Sequence, residues 1–380
     1  MSSSAENSAS PQRVSEPASP ILGGVLHTFV AFDWGEEIDL ERARSLVPAE
    51  TRVLPRRRRT PASIAYRPPP LRLHLAPVTV ELPGIGCVPM SAEATVFDFA
   101  AVSIAMHAPF ELSGGALTEL AGALAEPAPL VKLGLASLEP LYAKLLPAVQ
   151  NPRWQHDLSE EYFVFHVPPT AALPEPGELM EYHAGWLASL VRLEPAPLSS
   201  EEIAEALRVS ICYSPDDLLV LDWAAAFLLD ADCDETLQTI EFGNLQLLEF
   251  RHIDERLDAR LATTYGMIHS LAQSRLPFWH NPRRSLRALG ELKVEATGLF
   301  ERTENVLKLV GDQYLARVYR MLASRFHLEE WEKSIQRKLD VAEGVYRVVS
   351  DQTDTYRAEF LEIVVVLLIL LEILLAIFRH

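Results

Sequence analysis

The chain has 380 residues, of which 49% are hydrophobic and 23% are charged, and this composition excludes a globally disordered protein. The formal net charge of −18 argues against a general nucleic-acid binder, whose surface is net basic, so direct DNA binding is not expected. The three cysteines, Cys87, Cys212 and Cys233, are far apart and odd in number. This pattern fits a reducing compartment and gives no disulfide framework.

The first 21 residues are rich in Ser, Pro, Glu and Ala, and they predict a disordered tail. They contain no apolar run of the length that a secretory signal needs. We therefore expect the globular body to stay in the cytoplasm.

Residues 22–233 predict a mixed α+β domain whose strand order the sequence does not give. Runs with the composition or alternation of strands occur at residues 25–32, 71–82, 94–109 and 161–167. Pro77 is expected to divide the second run into two short strands. Asp39 precedes a predicted helix, and short helices are predicted between residues 117 and 149. Asp216 or Asp217 is predicted to cap a helix that runs through Trp223 and Phe227.

Four consecutive arginines, Arg56, Arg57, Arg58 and Arg59, stand between two prolines. A solvated loop explains them without any function. The alternative is a contact for RNA or for anionic lipid, because the guanidinium fork suits phosphate oxygens.

Helix signals dominate residues 234–359, and their strongest feature is a heptad seam. The seam comprises Ile335, Leu339, Ala342, Tyr346, Val349, Thr353 and Tyr356, separated alternately by four and three residues. Such a seam buries against another helix. That partner is either the preceding helix, about residues 293–326, folded back as a hairpin, or the same helix of a second subunit. Homo-oligomerisation through these helices therefore stays open.

Residues 360–378 predict a single transmembrane helix. Nineteen residues make a helix of about 28 Å, close to the hydrocarbon thickness of a bilayer, and its apolar side chains cover every face, unlike those of an amphipathic core helix. Phe360, Ile363, Leu367, Leu370 and Leu374 continue the seam, whereas Glu372 points away from it and is expected to pair with another membrane helix. The expected protein is tail-anchored in a lipid bilayer, with its body in the cytoplasm.

The chain lacks the familiar motifs of catalysis and cofactor binding. It contains no phosphate-binding GxxxxGK loop, no HExxH, no GxSxG and no pair of histidines at metal-ligand spacing. No catalytic, cofactor-binding or metal-binding residue and no cofactor is therefore predicted. Cys212 is interpreted as an inert buried thiol, and Asp230, Asp232 and Asp234 as an acidic turn rather than a calcium loop.

The C-terminal third resembles a known family. It carries FWHNP at residues 278–282, a long helical pair at 303–351 and RAEFLEIVVVLLILLEILL at 357–375. In this order the segments are similar to the required for meiotic nuclear division family, also called domain of unknown function 155, with Leu361, Glu362 and Glu372 at its leucine and glutamate positions. The resemblance implies an integral membrane protein, at the inner membrane in a bacterium, and a protein partner associated with the ribosome. It supplies no catalytic residue.

Two functions of different classes are consistent with these patterns. The favoured one is a non-enzymatic adaptor or scaffold, in which the α+β domain recognises a partner and the helices hold it at a membrane. The alternative is a membrane-tethered enzyme or a protein that binds a phosphate-bearing ligand, with its site in the α+β domain.

Overall fold

The computed structural model of the chain describes residues 21–48, 68–170, 173–273, 290–301 and 313–378. It divides into two compact units, the first formed by residues 1–249 and 305–328 and the second by residues 250–304 and 329–380. The first unit thus includes residues 234–249 and 305–328, which the sequence predicts as part of the helical region. The predicted α+β class is confirmed: an N-terminal sheet is followed by C-terminal helices.

An eight-stranded sheet organises the first unit. The strands are β1 (Leu22–Asp33), β2 (Glu37–Ile38), β3 (Leu71–Leu82), β4 (Gly86–Val96), β5 (Ala101–Leu112), β6 (Val149–Gln150), β7 (Glu160–Val167), β8 (Ser210–Ile211), β9 (Leu218–Leu221) and β10 (Ala225–Leu229). The order in the large sheet is β3-β4-β5-β1-β7-β10-β9-β8, and β2 pairs with β6 separately. All these pairs are antiparallel except β7 with β10.

The helices of the first unit begin and end with recognisable local signals. They are α1 (Leu40–Leu46), α2 (Gly114–Leu124), α3 (Ala128–Leu145), α4 (Pro176–Tyr182), α5 (Ala184–Arg192), α6 (Ser200–Ala206), the start of α7 (Asp234–Gln273) and α9 (Gln313–Arg325). Two further helices lie wholly or mostly in the second unit: α8 covers residues 290–301, and α10 is Leu328–Phe378. The Asp39 carboxylate accepts the backbone N–H of Arg42 at 3.0 Å, which confirms the predicted N-cap of α1. Ser113 and Ser199 cap α2 and α6 in the same way.

The two faces of the sheet carry different cores. On one face, alternate residues of β1 such as Leu26 and Val30 join a large apolar cluster with α2, α3 and α5. On the opposite face, Ala31 belongs to a smaller cluster that includes Phe242 of α7 and Tyr319 of α9. Helices therefore cover both faces of the sheet, and β1, in the middle, is buried along most of its length.

Residues 71–82 form one strand instead of the two that were predicted. β3 pairs with β4 throughout, and the register shifts between Leu75 and Val78, where Pro77 lies. A proline is tolerated at this position because β3 is an edge strand, and an irregularity absorbs the missing N–H. The predicted strand pair at residues 94–109 corresponds to the end of β4 and most of β5.

The helix predicted through Trp223 and Phe227 is wrong. The chain there forms β9 and β10, which pair antiparallel around a turn that contains Asp222. Short apolar runs such as LLVL and AAFLL suit a buried strand as well as a buried helix. Here the hydrogen bonds between β9 and β10 make both runs strands. Asp217 closes the preceding turn, accepting the backbone N–H groups of Tyr213 at 2.6 Å and Ser214 at 2.8 Å, and caps no helix.

The second unit contains the end of α7, α8 and most of α10. Lys338 of α10 pairs with Asp254 and Asp258 of α7 at 2.8 and 2.7 Å, and Lys293 of α8 pairs with Glu343 at 2.8 Å. The sequence did not predict α7 as a neighbour of the helix that carries the seam. The first three seam residues are buried, namely Ile335, Leu339 and Ala342. The remaining four, Tyr346, Val349, Thr353 and Tyr356, lie outside the residues whose side chains are described.

In the described part of the chain, no helix is both long and apolar enough to cross a membrane. This finding does not support the transmembrane helix predicted over residues 360–378. The backbone is helical to Phe378, but the side chains of Phe360, Ile363, Glu372 and Leu374 lie outside the described set. Leu367 and Leu370 lie inside it and are exposed.

The contact between β1 and β7 gives a first prediction. A Cβ added at Gly24 would lie 2.3 Å from the backbone oxygen of His166 and 2.7 Å from the Phe110 ring. We expect Gly24→Ala to lower the free energy of unfolding by roughly 1–3 kcal/mol, because backbone atoms of two paired strands must separate. Urea unfolding followed by circular dichroism measures this change. Gly23→Ala is the matched control, since nothing lies within 4 Å of its added Cβ; equal losses in both variants would contradict the packing argument.

Candidate functional site

Three histidines meet on the face of the sheet opposite the large apolar cluster. His27 of β1 lies directly opposite His107 of β5, and their Nδ1 atoms are 2.8 Å apart. His166 of β7 lies opposite Val25, two residues from His27 and therefore on the same face. The ring centroids of His27 and His166 are 5.6 Å apart.

Cys233 completes this cluster from the connection between β10 and α7. Its carbonyl oxygen accepts the backbone N–H of Leu237 at 2.9 Å, so it occupies the position just before the first turn of α7. Its Sγ atom lies 3.6 Å from Nδ1 of His166. One ligand atom each from His27, His166 and Cys233 lie within 4.8 Å of one another. We call these three residues the His₂Cys cluster.

Hydrogen bonding fixes the tautomer of His166. Its Nε2 atom lies 2.9 Å from the carbonyl oxygen of Asp230, and a carbonyl oxygen can only accept. The hydrogen of a neutral His166 is therefore on Nε2, and Nδ1 carries a lone pair directed toward Cys233. A histidine anchored in this way by a backbone carbonyl is the usual arrangement of a metal ligand.

His27 presents a buried nitrogen without a hydrogen-bond partner. The side chain is 8% exposed, and its Nε2 atom has no partner among the described residues. Between His27 and His107 one Nδ1 donates and the other accepts. If His27 donates, its Nε2 keeps a lone pair; in the other tautomer Nε2–H is a buried orphan donor, which proteins rarely leave. The first arrangement gives the cluster a second nitrogen lone pair, in addition to that of His166, which faces the Cys233 thiol.

The protonation states of the cluster suit a metal ligand set. Burial, with the neighbouring His107 and His166, lowers the pKa of His27 to about 2, so the ring is neutral at physiological pH. Burial also lowers the pKa of His107. Burial, with Asp234, raises the pKa of the Cys233 thiol to about 12. Without a metal the cysteine is therefore a thiol, and a bound cation would displace its proton.

Charged side chains lie beside the cluster on the same sheet. Arg72 of β3 pairs with the buried Glu241 of α7 at 3.3 Å, and His74 pairs with Glu93 at 3.2 Å. Glu93 and Glu241 act to raise the pKa of His107, but burial outweighs them. His107 thus stands between the polar edge of the sheet and the buried His27.

The residues proposed from sequence fall elsewhere. Arg56, Arg57, Arg58 and Arg59 lie outside the described residues, and so does the FWHNP segment. Cys212 is exposed, not buried as predicted, because β8 ends at Ile211 and the thiol lies beyond the paired strand. Burial of part of the side chain, with Asp217, nevertheless raises the pKa of Cys212, so it is not an activated nucleophile.

Sequence reasoning missed the His₂Cys cluster because its members are far apart in the chain. Cys233 and His166 are separated by 67 residues, and His27 and His107 by 80. A search for paired spacing finds none of them. The available signal was a single histidine inside each of two apolar strands, VLHTFVAF and EYFVFHV, where a polar side chain requires a partner.

A sequence profile described as "Uncharacterized protein MJ0711, N-terminal domain" matches residues 23–235. The chain belongs to this family. The uncharacterized protein MJ0711 of Methanocaldococcus jannaschii is 29% identical over 204 residues, which are 53% of this chain and 62% of that protein. No solved structure matches the chain. The range matched by the MJ0711 N-terminal domain family spans β1 to β10 and contains His27, His107, His166 and Cys233.

This family assignment supports a domain of unknown function and goes no further. The resemblance to the required for meiotic nuclear division family rests mainly on residues 278–375, outside the matched range. The MJ0711 match does not support that second family, and the resemblance stays a prediction.

The lowered pKa of His27 predicts a pH dependence of stability. The folded protein keeps His27 neutral down to about pH 2, whereas the unfolded chain binds a proton near the ordinary pKa of 6.5. Below that pH the unfolded state binds more protons, so the free energy of unfolding falls as pH falls, by up to about 1.4 kcal/mol per pH unit. In urea titrations with EDTA, we expect His27→Gln to lose stability less steeply between about pH 6.5 and 4.5. The exposed His156→Gln is the control, and a slope unchanged in His27→Gln would refute the effect.

Proposed function

We propose that the α+β domain binds a transition-metal ion, with Zn²⁺ as the favoured ion, at the His₂Cys cluster. The observation that supports this most is the buried, unpartnered Nε2 of His27, which lies next to the lone pair of His166 and the thiol of Cys233. Burying such a nitrogen costs free energy unless it is paired, and a cation pairs with it.

Two imidazoles and a thiolate suit Zn²⁺, and they also suit Cu⁺. In a tetrahedral zinc site with bonds of about 2.0–2.3 Å, ligand atoms lie roughly 3.3–3.7 Å apart. The cluster, whose atoms lie within 4.8 Å, needs side-chain shifts of about 1 Å to reach that spacing. Three protein ligands leave a fourth position for water or for another ligand. The ion would join the first turn of α7 to the central strands.

Metal analysis of the purified full-length chain tests this function. We expect one equivalent of zinc by mass spectrometry, lost in His27→Asn and in Cys233→Ser. His107→Asn should retain the ligands but bind about 10–100-fold more weakly, because His107 orients the ring of His27. At a free metal concentration of 100 times its Kd, the bound metal raises the free energy of unfolding by about 2.7 kcal/mol. Removing the metal should therefore lower Tm by roughly 5–10 °C.

Cys212→Ser is the matched control for the cysteine variant, because Cys212 is exposed and outside the cluster. It should keep both the metal and the Tm. A chain that holds no metal and takes up neither Zn²⁺ nor Cu⁺ would exclude the proposal. Copper in place of zinc would change the ion and keep the site.

A second function is favoured by a separate observation on α10. Seven consecutive apolar residues, from Val365 to Leu371, are each 51–60% exposed. Seven successive helical positions cover every face, whereas packing against one other helix would cover only a stripe. A continuous apolar surface of this kind marks an interaction site, and lipid is the partner that can cover all faces at once.

We therefore propose that the apolar end of α10 holds the protein at a bilayer, where the α+β domain serves as an adaptor for a protein partner. The resemblance to the required for meiotic nuclear division family makes ribosome-associated proteins the partners to test first.

Vesicle flotation tests the bilayer contact. We expect the full-length chain to float with phosphatidylcholine vesicles and the double variant Val366→Lys with Leu370→Lys to remain largely in the dense fraction, since each lysine costs several times the gain of one apolar side chain. Val294→Lys changes an apolar residue of α8 that is also exposed, and it should float normally. If the chain stays in the dense fraction as a stable dimer, α10 binds a second copy instead of lipid.

A further inference from the structure

A groove lined by arginines lies in the first unit, between the turn after α6 and the outer face of α9. Its volume is about 450 Å³, within the range of small-molecule sites. Half of its lining residues are arginines: Arg208, Val209, Arg317, Arg320, Met321 and Ser324. In a chain with a net charge of −18, such a concentration of positive charge is local and needs an explanation.

The carboxylates near this groove are already paired with other arginines. Asp222 is fully buried, and Arg192 and Arg325 contact its two oxygens, the Nε atoms at 2.8 and 2.7 Å. Arg325 also donates to Glu205 at 2.9 Å. This hydrogen bond from Arg325 lowers the pKa of Glu205, which stays a carboxylate. The charges of Arg192 and Arg325 are therefore offset by Asp222, which is buried, and by Glu205, which is partly exposed.

The arginines that line the groove are not balanced in this way. Arg208 contacts Glu205 at 3.0 Å, but that carboxylate is shared with Arg325. Arg317 and Arg320 form no ion pair with any carboxylate in the described ranges; Nε of Arg320 donates to the carbonyl oxygen of Ala316 at 3.2 Å. Arg317 and Arg320 are one turn apart on the same face of α9, where two like charges repel each other. An anion in the groove would relieve that repulsion.

We propose that this groove binds the phosphate group of a phosphorylated ligand. Guanidinium groups present planar pairs of N–H donors that match phosphate oxygens, and their charge-assisted hydrogen bonds are the strong ones. The Ser324 hydroxyl adds a neutral donor, and Met321 with Val209 gives an apolar wall for the remainder of the ligand. The site is independent of the His₂Cys cluster and of the four arginines at residues 56–59.

A phosphate group can reach the groove from two sources, a free phosphorylated small molecule or the headgroup of an anionic lipid. Both present the same oxygens to the arginines, so one pair of variants tests both. The groove variant is Arg317→Gln with Arg320→Gln. Its control is Arg337→Gln with Arg347→Gln, which removes two exposed arginines from α10 in the second unit and changes the net charge equally.

Binding is measured with the full-length chain in two arms. Inorganic pyrophosphate is titrated by calorimetry at low salt, and flotation compares phosphatidylcholine vesicles with vesicles that also contain phosphatidic acid. We expect the groove variant to lose about tenfold or more in pyrophosphate affinity, or to lose the preference for phosphatidic acid, while the control retains both. Loss in the first arm identifies a soluble ligand, and loss in the second arm alone identifies a headgroup.

Two results would overturn the proposal. The first is that the unaltered chain binds neither pyrophosphate nor vesicles that contain phosphatidic acid. The second is that the groove variant and its control lose binding equally, because binding would then depend on the net charge of the chain and not on the groove. All four substituted arginines are exposed, so thermal unfolding should be unchanged. If the double variant fails to fold, Arg317→Gln alone replaces it, with Arg337→Gln as its control. The single variant should lose about half as much affinity as the double variant on a logarithmic scale.

Discussion

The antiparallel pairing of β1 with β5 on one side and β7 on the other is the constraint on which the first unit depends. It buries β1 along most of its length and assigns alternate residues to two different faces. Because the side-chain period of a strand is two, a register slip of one residue would place His27 in the apolar cluster and Leu26 on the opposite face, under α7 and α9. The same register that builds the core therefore also places His27 opposite His107 and beside His166.

The two faces of the sheet differ in polarity. One face packs an almost entirely apolar cluster under α2, α3 and α5. The other face, with the α7 helix that covers it, buries many polar groups, including His27, Glu160, Glu241, Asn244 and Gln246. Hydrogen bonds connect some of these groups: Asn244 donates to the Glu160 carbonyl oxygen at 3.0 Å, and Tyr319 donates to Gln246 at 2.6 Å. Such hydrogen bonds specify one arrangement of helices on the sheet, whereas Nε2 of His27, Oε1 of Glu241 and Oδ1 of Asn244 are among the buried atoms that have no hydrogen-bond partner in the described part of the chain.

Charge in this protein is arranged locally and against the overall balance. The chain is strongly acidic, yet Arg192 and Arg325 converge on the buried Asp222, and this ion cluster joins α5 and α9 to the turn between β9 and β10. Removing one partner of a buried pair leaves an uncompensated charge, so the cluster is strongly constrained. Arg317 and Arg320 are not part of this ion cluster, and they remain exposed at the surface. In the second unit the ion pairs of Lys338 join α10 to α7, while further along α10 the exposed surface becomes wholly apolar.

The sequence by itself determined the elements whose signal is local. The Asp39 cap of α1, the strand VLHTFVAF, the strand EYFVFHV and the long helices after residue 234 all follow from side-chain periodicity and capping chemistry within a few residues. The helix predicted at residues 217–229 was wrong. Apolar runs of four and five residues suit a helix or a strand, and the pairing of β9 with β10 made them strands. The strand order and the His₂Cys cluster depended entirely on the tertiary structure, because residues in different strands and loops come together only through the registers of β1, β5 and β7. No spacing rule along the chain carries that information, since the contacts that create the cluster are hydrogen bonds between strands far apart in sequence.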